Sequence, residues 1–363
     1  MSIHEIAPDD VVRTHAEGAA NEREPLVVLE PLLAFLDEHG IAAGAGDPAL
    51  SPLGDGHSNV TYLAERGGVE FVLRRPPRGP LPPSAHDVIR ESRVLRALEG
   101  LARVPRVFAV CEDAELIGAP FYVMEKIEGD VVNDTLPAAL DSEENRRRIG
   151  EELVDALVEL HAVDWQAAGL EGFGKPTGYV ERQVRRFHGL WDINRTREVP
   201  EIDAVARWLG DNLPESPPAT IVHGDYRLGN VLYGPQSPAQ LVTIVDWEMA
   251  TIGDPLADLG YLVTLWSDRD DAVGGPLELS PVTRQPGFLR RDELIARYEE
   301  RSGRSMTDIR WYQTLAIWKS AIFMEGNYKR AISGTSDDPF NLQFGEGVLQ
   351  LAAQAQELTS SPD

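Results

Sequence analysis

His223-Gly224-Asp225-Tyr226-Arg227-Leu228-Gly229-Asn230 reads H-G-D-x-x-x-x-N, and a second carboxylate, Asp246, follows the apolar run Leu241-Val242-Thr243-Ile244-Val245. An Asp, an amide five residues on and a further Asp after a strand are the groups phosphoryl transfer needs. One carboxylate orients a hydroxyl and accepts its proton, while the amide and the other carboxylate hold magnesium on the phosphates of ATP. On this reading Asp225 is catalytic, and Asn230 and Asp246 are metal ligands. Asn230 to Tyr233 and Leu241 to Val245 read as a hairpin across Gly234-Pro235, which is expected to bring Asn230 and Asp246 together as shared ligation requires.

Upstream, Gly54-Asp55-Gly56-His57-Ser58-Asn59 opens a strand that turns at Gly67-Gly68 into a second, Val69 to Arg74. Glycines let a backbone approach phosphate oxygens closely, although Gly-rich hairpins are common without that role. The second strand ends in two cations, Arg74 and Arg75, and a helix over Ser84 to Leu98 follows with Val88, Leu95 and Leu98 as its apolar stripe. Glu91 falls on that stripe. An inward carboxylate needs a partner, so Glu91 either pairs with Arg74 or sits as a surface glutamate at the stripe's edge.

A chain of 363 residues accommodates one large domain or two lobes. Its net charge of −25 argues against nucleic acid and anionic membranes as partners, and it suits either a cationic substrate or simply an acidic surface. The single cysteine, Cys111, excludes an internal disulfide and a cysteine-based zinc site, and lies in an apolar run as a core thiol. With no apolar leader and no apolar run of membrane-spanning length, a cytoplasmic protein is expected. Residues 1 to 24 read as a mobile polar arm, and Pro25 to His39 as a helix. Asp141 to His161 reads as a long helix in which His161 is packed rather than catalytic. Arg182, Arg185, Arg186, Arg195 and Arg197 form a positive island with two open readings, a solvated helix face or a site for an anionic part of the substrate. Asp254-Pro255 starts a helix, on which Asp258 either braces the catalytic loop or is a surface residue. Residues 267–287 form a long Gly/Pro-rich loop of the kind that serves as a mobile lid or a substrate element, and the remainder is helical.

The ordered set Gly54/Gly56, Arg74, Glu91, Asp225, Asn230, Asp246, with D-W-E, G-D-P and D-L after the first motif, resembles the aminoglycoside phosphotransferase (choline-kinase-like) family. Protein kinases proper are less similar, since H-R-D, D-F-G and A-P-E are absent. Phe71-Val72-Leu73-Arg74-Arg75-Pro76-Pro77, Tyr179 to Val184 and Trp208 to Pro214 look most like the kinase-like domain fused to some acyl-CoA dehydrogenases. The resemblance implies an α+β, two-lobed protein-kinase-like fold. Residues 1–49 would be an N-terminal extension with one helix, 50–127 a small antiparallel-sheet lobe, and 128–363 a mainly helical lobe. It implies ATP and Mg2+ as cofactors. Gly54, Gly56, Ser58 and Asn59 would lie on the phosphates, Arg74 held by Glu91 would steady them, and a hinge at Glu125 and Ile127 would bond the adenine through its backbone. Arg74 stands where the family usually has Lys, which leaves open whether Arg74 or Arg75 fills that role. The glycine loop lacks the third glycine of protein kinases. The partner is a small hydroxylated molecule, with the acceptor open between an aminoglycoside and an anionic, hydroxyacyl-CoA-type compound that would use the arginine island. A nucleotide-binding protein without kinase activity is the reading from another class.

Overall fold

The computed structural model describes residues 7, 9–53, 59–79, 86–335 and 339–360. The glycine-loop positions Gly54, Gly56 and Ser58 lie outside the described residues, as do residues 1–6 and 8. The chain divides into two compact units, one of residues 1–128 with 245–248 and the other of 129–244 with 249–363. No helix among the described residues is long and apolar enough to cross a membrane.

The first unit begins with β1 (Val11–Val12), α1 (His15–Gly18), β2 (Val27–Val28) and α2 (Leu29–Glu38). Residues 9–24 are therefore not the expected mobile arm. β1 pairs in parallel with β2, and Thr14 and Glu17 close a capping box on α1, so local hydrogen bonds fix this polar stretch. Then come β3 (Ala49–Pro52), β4 (Val60–Arg66), β5 (Val69–Arg75), α3 (Val88–Leu98), β6 (Val107–Cys111) and β7 (Phe121–Glu125). The five later strands form an antiparallel sheet in the order β3-β4-β5-β7-β6. Phe71 and Leu73 of β5 pack with Tyr62, Phe121 and Val123 against Leu32, Phe35 and Leu36 of α2 in one apolar core. Side chains of residues 26–41 thus share the sheet's apolar core. Strand side chains alternate between faces, so Val72 and Arg74 point away from that core.

The second unit is mainly helical. Its elements are α4 (Glu143–Ala162), α5 (Tyr179–Asn194), α6 (Pro200–Asp211), β8 (Thr220–Val222), β9 (Val231–Tyr233), β10 (Leu241–Ile244), β11 (Thr251–Gly253), α7 (Leu256–Leu265), α8 (Arg291–Ser302), α9 (Ile309–Ile332) and α10 (Phe344–Ser360). Ser142 caps α4, and Ile149, Leu153, Leu157 and Leu160 line its buried face at helical spacing. The expected hairpin is present, with β9 antiparallel to β10 and Ile244 opposite Val231, the residue after Asn230. β8 pairs with β11, Val222 opposite Thr251. Two short ladders therefore frame the catalytic stretch on both sides.

Candidate active site

In the first unit the site is built on Arg74. Its Nε donates to Glu91 Oε2 at 2.9 Å, Nη1 to Thr61 Oγ1 at 3.0 Å and Nη2 to Asp246 Oδ1 at 2.8 Å. The planar guanidinium fork reaches three acceptors in fixed directions, which an ammonium could not do in the same way. Glu91 is 2% exposed and also accepts from the Trp247 backbone N–H at 3.2 Å. Burial pulls the Arg74 guanidinium down, but Glu91, then Tyr122 and Asp246, outweigh this and raise it. Burial raises the Glu91 carboxyl, and Arg74 opposes that rise. Each partner thus offsets part of the other's burial, and the Glu91 carboxyl stays raised overall. Arg75, on the opposite face of β5, donates to the carbonyls of Pro76, Leu26 and Ile117. Burial pulls it down to about 10. The pleat thus assigns Arg74 to the Glu91 side and makes Arg75 a strut for the loops over the core.

Asp246 adopts a left-handed backbone, φ 66, which Asp tolerates better than most residues. Asn59, 2% exposed, donates weakly from Nδ2 to Glu248 Oε2 at 3.4 Å, while its buried Oδ1 has no hydrogen-bond partner among the described residues. At the expected hinge, the Glu125 N–H is spent on the Arg106 carbonyl at 2.8 Å. Ile127, half-buried, makes no hydrogen bond among the described residues.

In the second unit the catalytic stretch leaves β8 at His223. Gly224 has φ 88, and a Cβ there would stand 2.7 Å from the Met249 carbonyl oxygen, so only glycine fits the turn. Asp258, one turn into α7 and 1% exposed, accepts from the backbone N–H groups of His223 at 2.7 Å and Gly224 at 2.8 Å. His161 donates from Nε2 to the same carboxylate at 3.3 Å and accepts at Nδ1 from the Tyr298 hydroxyl at 2.7 Å. Asp258 is thus a brace and not a surface residue, and His161 is packed behind it. Burial lowers the His161 ring, with Asp258 pulling the other way. Asp254 accepts from Leu256 N at 3.0 Å and from the Tyr312 hydroxyl at 2.7 Å, fixing the start of α7 to α9.

Asp225 stands half-buried beyond this clamp. Asn230 donates from Nδ2 to Asp225 Oδ2 at 2.7 Å and to its backbone oxygen at 2.8 Å. The amide nitrogen is committed to Asp225, so the amide oxygen is the atom that a metal would take. Arg227 Nε lies 3.6 Å from Asp225 Oδ1. Burial, then the Asp225 charge, push the Tyr261 phenol well above its ordinary value, so it remains an O–H beside the carboxylate. Tyr261 and Arg227 were not picked out from the sequence. Tyr261 lies three residues after Asp258 on α7, a spacing that places both on one helix face and was legible.

The arginine island does not form one patch. Arg182 donates to the carbonyls of Thr177 and Lys175 and holds the turn before α5. Arg195 pairs with Glu198 at 3.7 Å. Arg197 pairs with the fully buried Glu325 at 3.1 Å and lies 5.1 Å over the Tyr328 ring. Arg185 lines a groove of about 480 Å³ between α5 and α6, with Val184, His188, Asp203, Ala206 and Leu213. Arg186 is exposed and has no carboxylate partner among the described residues.

Taken residue by residue, the chemistry suits the groups the sequence implies: Asp246 in the first unit and Asn230 in the second each carry the hard oxygen that magnesium takes, and the Arg74 fork suits phosphate. Comparisons with known proteins agree on the class. The sequence model of the phosphotransferase enzyme family matches residues 49–312. Acyl-CoA dehydrogenase family member 11 of Gallus gallus is 32% identical over 324 residues, covering 87% of this chain but 41% of the relative. The chain thus spans less than half the length of that relative. The crystal structure of a putative aminoglycoside phosphotransferase from Ralstonia eutropha superposes with a TM-score of 0.78 at 30% identity, covering 91% of this chain and 97% of that one. A ternary complex of a thermostable aminoglycoside phosphotransferase, APH(4)-Ia, with AMP-PNP and hygromycin B shares the fold at a TM-score of 0.60 and 15% identity, covering 92% of this chain and 100% of that one.

Proposed function

The chain belongs to the phosphotransferase enzyme family, and on that footing we propose that it is an ATP- and magnesium-dependent small-molecule kinase acting on a substrate hydroxyl. The observation that carries this reading is the double hold on Asp225. Asn230 fixes one carboxylate oxygen, and Asp258 fixes the backbone leading into the loop, so the second oxygen has a set direction. Magnesium, when bound, would neutralise charge on the phosphates, and Asn230 and Asp246 would hold it. Asp225 orients the acceptor hydroxyl and takes its proton as the oxygen attacks phosphorus and ADP leaves. Arg74, fixed by Glu91, steadies the nucleotide phosphates, and Asn59 lies at the edge of their loop. Catalysis of this kind is positioning and charge neutralisation, so rigidity in the Asp225 loop has direct kinetic weight.

The proposed acceptor is a hydroxylated, anionic small molecule. The relative's acyl-CoA dehydrogenase name is consistent with an acyl-type acceptor, but that name belongs to a protein more than twice as long, and its dehydrogenase chemistry is not carried over. ADP release measured against a panel of aminoglycosides and a panel of hydroxylated acyl-CoAs tests both the activity and the acceptor. Asp225→Asn is expected to lose about 10²–10⁴-fold in turnover. Full activity in that variant would remove Asp225 from the mechanism.

A further inference from the structure

Lys319 lies on α9, half-buried, with its Nζ 4.7 Å over the ring of the buried Phe187 from α5. Among the described residues the ammonium has this ring contact but no hydrogen bond or carboxylate within ion-pair distance. Asp225 and Asp258 lie within electrostatic reach, and so does Arg186, which also lacks a carboxylate partner. Burial, opposed by Asp258 and Asp225 and reinforced by Arg186, pulls Lys319 down to about 8. Arg186 directly precedes Phe187 in the chain and the Lys319 ammonium stands over that ring, so two cations without a carboxylate partner among the described residues flank one aromatic side chain. The other three arginines of the island have protein acceptors, and Arg185 faces the α5–α6 groove.

We propose that Lys319 and Arg186 form a subsite for an anionic group, carboxylate or phosphate, of the acceptor, placed on the Asp225 side of the second unit. The Phe187 ring holds the Lys319 stem and ammonium in place without neutralising it, so the charge stays free for a ligand. This subsite deepens the kinase reading and rests on it for the identity of the acceptor. Its existence as an anion site does not depend on turnover.

Isothermal titration of the full chain with glycerol 3-phosphate, glycerate and glycerol separates phosphate, carboxylate and neutral ligands. At least one anion is expected to bind and glycerol not to. Lys319→Met and Arg186→Gln are each expected to weaken that anion by about tenfold or more, the loss of one charge-assisted hydrogen bond, with Lys319→Arg retaining most of the affinity. Lys319→Met is also expected to melt at or above the wild-type temperature, since it removes an unpaired charge and keeps the apolar stem. Absence of binding by either anion, equal binding of glycerol, or wild-type affinity in both variants would overturn the subsite. So would a low-melting Lys319→Met with no recovery in Lys319→Arg, which assigns the lysine to packing. ADP release on the acceptor panels is scored separately. Turnover without anion binding sinks the subsite alone, and anion binding without turnover on any acceptor sinks the kinase reading alone.

Discussion

Arg74 satisfies three acceptors with one rigid group, and among the described residues Glu91 has no other cationic contact. Removing the cation leaves a buried carboxylate unpaired, so Arg74→Met is expected to cost about 3–5 kcal/mol of stability, read as a lower urea midpoint. Arg74→Lys restores the family's usual residue and one charge but not the fork. It should recover most stability while changing the KM for ATP, which separates the structural role from the nucleotide role. Sequence alone could not choose between Arg74 and Arg75, because both end the same strand. The pleat chooses, since adjacent strand positions face opposite ways and only Arg74 shares a face with α3.

Among the elements, α7 does most to set the catalytic loop. Asp258→Ala strands the N–H groups of His223 and Gly224 and the His161 ring in a buried place. A loss of about 3 kcal/mol or more and a fall in turnover are expected together, measured by urea unfolding and ADP release. The same site gives a pH dependence. The buried His161 ring has a pKa below its ordinary 6.5, so the unfolded chain takes up a proton that the folded chain resists. Stability from this group is therefore full above about pH 6.5 and is lost as pH falls through the folded value. The urea midpoint should drop between pH 7.5 and 5.5, and His161→Gln should flatten that slope. The long apolar face marked α4, and the Asp254-Pro255 start marked α7. Periodicity marked residues 9–24 poorly, because a capping box and a two-residue strand carry no hydrophobic period.

For the whole molecule, the charge of −25 sets a background repulsion that salt screens. Adding sodium chloride at fixed pH is expected to raise the melting temperature, and a flat or falling response would mean that the internal Arg–carboxylate pairs outweigh net repulsion. Each compact unit also has its own core, the first centred on α2 and the five-stranded sheet, so calorimetric unfolding in more than one transition is the expected outcome.

The sequence by itself determined the order of the parts. H-G-D-x-x-x-x-N, the later Asp246, the inward Glu91 and the strand ending in arginines are all local patterns, and local patterns survive in one dimension. Tertiary structure decided which residues share a face. It put Asp258 under His223 and Gly224, paired Arg197 with Glu325, and set Lys319 over Phe187 with no ion pair among the described residues. These pairings join residues far apart in the chain, and only the packing of α5, α7 and α9 in the folded unit fixes which of them meet.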